Sequence, residues 1–446
     1  MVRAFGCPAL AAGMAAAMST PDTIFALATG AGQAAIAVLR ISGAQAGALL
    51  AALVGKLPEP RRASLRRLRD GAGETLDRAM VLWLPGPGSF TGEDGAELFV
   101  HASRAVIGAV ADRLVSLGAR PAEPGEFSRR AFLNGKLDLL AAEAIADLVA
   151  AETLAQARQA LRQMEGSLSV LYRSWATRLR HLLAHQEALI DFPDEDLPAD
   201  VDAGVRAEML ALHNEMAAHL DDHRRGERLR EGLVFAITGA PNVGKSSLVN
   251  ALAERDVAIV SDQPGTTRDA LEARIVLGGV PITLVDTAGL REAADAIEAE
   301  GIRRALARAA DADARLRVVV AGADDAPDPA TDLLIANKAD LGGTMPPGAL
   351  VISARTGAGM DALRDRLGEM ARALTQAQGP PPLTRARHRA ALVEAVARLD
   401  AAHDAPWPEL RAEDLRLAMR AIGRITGTVG VEDLLDTIFR QFCIGK

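Results

Sequence analysis

The stretch GAPNVGKSS, residues 239–247, stands between LVFAI, which reads as a buried strand, and SLVNALA, which reads as a helix. A G-x-x-x-x-G-K-S run in that context is a P-loop, and it commits the chain around it to a strand–helix alternation on a parallel sheet. Gly239 and Gly244 let the backbone wrap phosphates, while successive N–H groups and the helix N-terminus supply partial positive charge. Lys245 is placed to neutralise β- and γ-phosphate oxygens, and the Ser246 hydroxyl to ligate magnesium. Val243 and Ser247 complete the cradle. Asn242 has two open readings: ordinary turn chemistry, or an amide oxygen facing the phosphates where a monovalent cation stands in for an arginine finger.

The base is read further on. LVDTAG (residues 284–289) is a buried strand ending in Asp286, placed for the outer shell of the magnesium, with Thr287, Ala288 and Gly289 behind it. NKAD follows the strand DLLIA and brings Asn337, Lys338 and Asp340. The Asp340 carboxylate can accept from N1–H and the 2-amino group of guanine, whereas adenine offers neither donor. VISA (residues 351–354) ends the next strand, so that Ser353, Ala354 and the following Arg355 lie beside the base. SDQPGTTRD supplies the first switch: Ser261, Asp262, Gln263, Pro264, Gly265, Thr266 and Thr267, the last a fit for magnesium. These motifs, in order on strand ends, describe a GTPase of the translation-factor-like type. Ras-like enzymes position water with a Gln just after DTAG; here the residue is Leu290, so another group must do that work.

The rest of the chain frames this domain. Two cysteines 436 positions apart give no disulfide framework and no cysteine zinc site, and a reducing cytoplasm is the expected compartment. No apolar run is long enough for a membrane span. The N-terminus faintly imitates a signal peptide, but Gly6, Pro8 and Gly13 interrupt it, and residues 1–18 are expected to be a disordered extension. A net charge of −8 excludes a chain that coats nucleic acid by charge alone. Mixed α/β patterning is expected over residues 19–120. From Glu126 the period turns helical, with one long helix up to a break at Gly166, a second to the acidic DFPDEDLPAD, and a third running to about Arg230. Beyond the breaker QGPPP the chain is helical to Phe442. The fold class is therefore α/β + α: an N-terminal α/β domain (19–120), a discontinuous helical domain (121–230 and 380–446), and an inserted Ras-like P-loop G domain (231–379).

SDQPGTTRD, DTAGLRE, GEFSRRAFLNGKLDLLAAEAIADL and the terminal FCIGK together closely resemble the MnmE (TrmE) family of tRNA-modification GTPases, from about Asp22 to Lys446. The resemblance implies a homodimer that works with an FAD-dependent partner, MnmG (GidA), in a heterotetramer. It implies installation of an aminomethyl-type group at C5 of the wobble uridine of certain tRNAs, with the one-carbon unit from 5,10-methylenetetrahydrofolate, for which 5-formyltetrahydrofolate is an analogue. FAD is carried by the partner. Transferred by motif, Ser246 and Thr267 hold magnesium; Asn242, Ser261, Gln263 and Thr266 hold potassium; Glu298 is the general base acting through water. Arg40, Glu97, Lys136 and Lys446 map to the folate site of the N-terminal tetrahydrofolate-binding and dimerisation domain. There one carboxylate pairs with the N–H/NH2 edge of a pterin, and cations suit the glutamate tail. Cys443 falls beside that site, as a nucleophile or as a residue that only shapes the pocket.

Two stretches depart from the family: its glycine-rich PPGRGG is GAGQAA here (residues 30–35), and its HGG is HAS (residues 101–103). Arg315 and Arg317 stand where aliphatic residues are expected on a buried strand. The pairs His181/His185 and His219/His223 read as helix-surface histidines, and the basic run RRASLRRLR (61–69) as a solvated loop. The alternative function is a GTP-switched RNA-binding or ribosome-assembly factor without modification chemistry; a folate-dependent methyltransferase acting alone is a further rival.

Overall fold

A computed structural model of the chain describes residues 22–30, 34–191, 199–255, 272–286, 309–321, 331–376, 379–429, 432–440, 442 and 445. Two compact units divide it, residues 1–146 with 427–446, and residues 147–426.

The first unit is built on strands β1 (Ile24–Leu27) and β2 (Ile36–Ser42), helix α1 (Ala46–Val54), strands β3 (Ser64–Arg69), β4 (Thr75–Leu84) and β5 (Gly95–His101), helix α2 (Arg104–Ser116) and the short β6 (Arg120–Pro121). Helices α3 (Glu126–Leu133) and α4 (Leu139–Ala150) follow. The sheet order is β3-β4-β5-β2-β1-β6, antiparallel except for β1–β6. Alternate residues of its strands, among them Leu39, Ile41, Val81, Trp83 and Leu98, bury one face beneath α1 and α2. Register then dictates what the other face carries: Arg40 lies directly across from Glu97. The Ser103 hydroxyl of the HAS stretch caps α2 by accepting from the Val106 amide at 3.1 Å. The basic run is a strand in part rather than a loop, since Ser64–Arg69 pair with β4 as the sheet's edge. Arginines suit such an edge, where they keep the unpaired backbone wet.

The chain returns to this unit with the helix Glu432–Phe439. Leu435, Ile438, Phe439 and Phe442 pack with Leu139, Ala142 and Phe132 in one small core. Gly125, in the left-handed region at the N-terminus of α3, is pressed against this segment: a Cβ there would fall 2.5 Å from the Phe439 carbonyl.

In the second unit come α5 (Leu154–Met164), α6 (Ser167–Asp191), α7 (Ala199–Leu220) and α8 (Arg225–Glu231). Two of the expected long helices are split. Thr153 forms a capping box with Gln156 and starts α5 afresh after α4, because capping satisfies amides that a continuous helix would not leave open. His223 and Arg224, both with positive φ, separate α7 from α8. The G domain then supplies β7 (Leu233–Thr238), α9 (Lys245–Arg255), β8 (Glu272–Leu277), β9 (Val280–Asp286), β10 (Ala314–Val320), β11 (Leu333–Asn337), β12 (Leu350–Val351) and α10 (Met360–Thr375). Its sheet runs β12-β11-β10-β7-β9-β8, parallel except at β8. On β10 Leu316 and Val318 point to the core; Arg315 is exposed and Arg317 half-buried on the opposite face, so neither enters the apolar cluster. Helices α11 (Ala386–Asp404) and α12 (Pro408–Thr426) pack against each other and on α7 and α6. No helix among the described residues is long and apolar enough to cross a membrane.

His219 is not a surface histidine. It is buried at the end of α7, its ring edge-on to Trp175 at 5.4 Å and its Nε2 3.4 Å from the Tyr172 hydroxyl. Burial depresses its pKa to about 4 from the ordinary 6.5. Below pH 6.5 the unfolded chain takes up a proton at this ring that the folded chain refuses, so stability is complete above pH 6.5 and drains away as pH falls to 4. At 1.36 kcal/mol per pH unit the loss is on the order of 3 kcal/mol. The urea midpoint followed by tryptophan fluorescence should therefore fall more steeply between pH 6.5 and 4.5 in the parent than in His219→Phe. Equal slopes would assign the acid sensitivity to other groups.

Candidate nucleotide and folate sites

Parallel pairing of β7, β9, β10, β11 and β12 sends their C-terminal ends to one edge of the G-domain sheet, and the nucleotide motifs gather there. The P-loop leaves β7 through Gly239, whose added Cβ would meet the Val318 carbonyl at 2.2 Å, and enters α9 through Gly244, where it would meet Asn337 Nδ2 at 2.5 Å. Both glycines have positive φ, so both close approach and backbone geometry exclude a side chain. Asn242 adopts φ 62°, a left-handed conformation that Asn tolerates better than most residues. Its carbonyl accepts from Lys338 Nζ at 2.6 Å.

Lys245 is almost fully buried, and its ammonium donates to the carbonyls of Gly239 and Ala240 at 2.9 and 2.7 Å. The loop thus holds the cation over its own backbone. Ser246 Oγ donates to Asp286 Oδ2 at 2.7 Å, joining the first residues of α9 to the end of β9. A hydroxyl and a buried carboxylate in contact form a donor set that fits a hard divalent cation. Val243 is buried under the loop, while the Ser247 side chain is exposed.

At the end that carries NKAD and VISA, Asn337 is buried and engaged at both ends of its amide: Nδ2 donates to the Val243 carbonyl at 3.0 Å, and Oδ1 accepts from the Ala354 amide at 3.0 Å. It clamps the phosphate loop to the VISA loop. Ser353 Oγ donates to Asp340 Oδ1 at 2.6 Å, and Arg355 pairs with Oδ2. The Ser353 hydrogen bond, with help from Arg355, holds the Asp340 carboxyl below the usual range, so it stays an acceptor.

In the first unit, Arg40 donates through Nε and Nη2 to Glu97 Oε1 at 3.2 and 3.1 Å. Its guanidinium also lies over the rings of Phe90 and Phe127, 5.4 and 5.8 Å from their centroids. Lys136 runs its stem across Gly92, where an added Cβ would meet Lys136 Cε at 3.2 Å, and Asn134 Nδ2 donates to the Thr91 carbonyl at 2.8 Å. The LNGK turn is thereby fastened to the TGED loop.

Two family profiles match the chain: "GTP-binding protein TrmE N-terminus" over residues 23–136 and "MnmE helical domain" over residues 139–443. The "tRNA modification GTPase MnmE" of Gluconacetobacter diazotrophicus is 63% identical over 431 residues, covering 95% of this chain and 98% of that one. The chain belongs to the MnmE family. Proteins of the same description from Granulibacter bethesdensis and Rhodospirillum rubrum are 57% and 56% identical, over 95% and 96% of this chain and 99% and 100% of theirs. The MnmE family is one of tRNA modification GTPases, and the resemblance first carried by short motifs extends along the chain.

Several expected site residues lie outside the described residues: Ser261 to Thr267 of the first switch, Thr287, Ala288, Gly289, Leu290, Glu298, Cys443 and Lys446. Others were missed by sequence reasoning. Arg130 is buried among three carboxylates, Asp22 and Glu126 at 2.8 Å and Glu93 at 3.2 Å, and Glu93 Oε2 accepts from Ser42 at 2.8 Å. Arg120 joins the same cluster through Glu126 at 2.6 Å. This network ties α3 to the TGED loop and to β2, two residues from Arg40. The adjacent arginines of EFSRRAF were the available signal, but nothing in that run announces their partners.

Proposed function

We propose that the chain is a potassium-activated GTPase that, with an FAD-dependent MnmG-type partner and tRNA, builds an aminomethyl-type group on C5 of the wobble uridine from a tetrahydrofolate one-carbon unit. The observation that carries the GTPase part is the convergence of Lys245, the Ser246–Asp286 contact and Asp340 on one edge of the sheet. Family membership supports the tRNA part.

In this reading Ser246 and Thr267 hold magnesium, which when bound supplies charge stabilisation to the phosphates. Lys245 turns from the loop carbonyls to the β- and γ-phosphate oxygens. Asp340 accepts both guanine donors, while Ala354, held by Asn337, presents its end of the VISA loop to the base. Asn242, Ser261, Gln263 and Thr266 would hold potassium, which would supply the charge of an arginine finger where Leu290 takes the place of a catalytic Gln. Glu298 draws the proton, through a bridging water, from the water that attacks the γ-phosphorus; the bond to GDP breaks and phosphate leaves. In the first unit Glu97 pairs with the pterin edge, and Arg40, Lys136 and Lys446 face the anionic tail. The Arg40–Glu97 contact keeps both side chains aligned before folate arrives. Cys443 assists one-carbon transfer, as nucleophile or as pocket wall. The domains are residues 19–120, 121–230 with 380–446, and 231–379, and the working unit is a homodimer.

Reconstitution tests the whole reading. The chain is mixed with tRNA, GTP, the flavoprotein, reduced folate and potassium, and digested nucleosides are weighed by mass spectrometry. Aminomethyl-type uridine should appear with every component present and vanish when flavoprotein or folate is omitted. Sodium in place of potassium should slow hydrolysis severely. Full modification without the flavoprotein would support the methyltransferase acting alone; GTP hydrolysis with no modified uridine would leave the GTP-switched factor.

A further inference from the structure

Arg158 and Arg162 lie one helical turn apart on α5, and both are exposed. Arg372, in the last turn of α10, rests its Nη1 over the β8–β9 turn, 2.8 Å from where a Cβ on Gly278 would stand. These three arginines line one cavity of about 600 Å³, walled on another side by Pro380–Pro382. All three are exposed, and among the described residues no carboxylate pairs with any of them. Three unneutralised guanidiniums around one space repel each other. Their planar forks match phosphate oxygens, and the volume is that of a small-ligand pocket.

We propose that this cavity binds a small ligand bearing two or more phosphates, at a site separate from the P-loop. The limited volume selects a compact ligand over a long backbone, since α5, α10 and the proline segment all line the same space. The position gives the ligand leverage. Leu229, just before β7, and the segment after α10 both line the cavity, so both connections of the G domain to the helices pass it. An occupant bridging Arg158 and Arg162 to Arg372 fixes the G domain against α5 and alters turnover without entering the nucleotide site.

The test uses the full chain saturated with GDP and magnesium, so that the P-loop is filled, and titrates tripolyphosphate by calorimetry in matched magnesium buffer. One further site should appear, weakened at least tenfold in R158Q/R162Q and similarly in R372Q. Both variants should hydrolyse GTP within about twofold of the parent when tripolyphosphate is absent, since none of the three residues belongs to the nucleotide site. No saturable binding, or equal affinity in R158Q/R162Q, overturns the proposal. So does displacement of tripolyphosphate by a 20-nucleotide RNA at lower concentration than by free nucleotides, which would make the cavity a reader of nucleic-acid backbone.

Discussion

Asp340→Asn will bind GTP about a thousandfold more weakly than the parent chain and will accept xanthosine triphosphate in its place. In the proposed site guanine presents two donors, N1–H and the 2-amino group, to a carboxylate that Ser353 and Arg355 keep ionised and oriented. An amide turns one acceptor into a donor, so one donor of the base meets another. Xanthine carries a carbonyl at C2, which the new NH2 can satisfy. Titration with fluorescent GTP and XTP analogues checks both halves. Unchanged GTP affinity would mean that the base is read by other residues.

Arg130→Ala will destabilise the first unit by about 3–5 kcal/mol. Its guanidinium is nearly buried and is shared by Asp22, Glu93 and Glu126. Truncation leaves Glu93 and Glu126 in a partly dry setting, with Arg120 alone near Glu126 to compensate. The damage spreads along the hydrogen bonds, because Glu93 also holds Ser42 and Arg130 also holds the Asp22 carbonyl at 2.9 Å. Hydrogen exchange in β1, β2 and α3 should rise together. A loss below about 1 kcal/mol would show that the cluster behaves as solvated surface pairs do.

The nucleotide motifs, which the sheet gathers on one edge, were legible because each is a short run whose backbone geometry is nearly the whole of its proposed chemistry. Gly239, Lys245 and Asp340 could be placed before any strand order was known. The roles that depend on distant partners were not legible in the same way. Asn337 looked like a base-reading residue, yet its amide is spent on Val243 and Ala354, some 94 and 17 positions away in the chain. Helix period likewise carried the reading through Ala150, but a capping box is a local choice that hydrophobic spacing does not reveal, and Thr153 made it. His219 was misjudged because polarity argues for the surface while its neighbours Tyr172 and Trp175 come from another helix.

The small core that joins Phe132 and Leu139 to Phe439 and Phe442 has a consequence for the order of synthesis. The ribosome makes Phe132 307 residues before Phe439 (439 − 132). At roughly 5–20 residues per second, the apolar faces of α3 and α4 wait on the order of 15–60 s for their cover. Within that interval the whole G domain, residues 231–379, is made. The nascent chain must therefore carry an uncovered apolar patch on α3 and α4 while a later domain folds, although the sheet core of residues 25–119 can already close, and a chaperone that shields apolar surface has its work set for it at that patch.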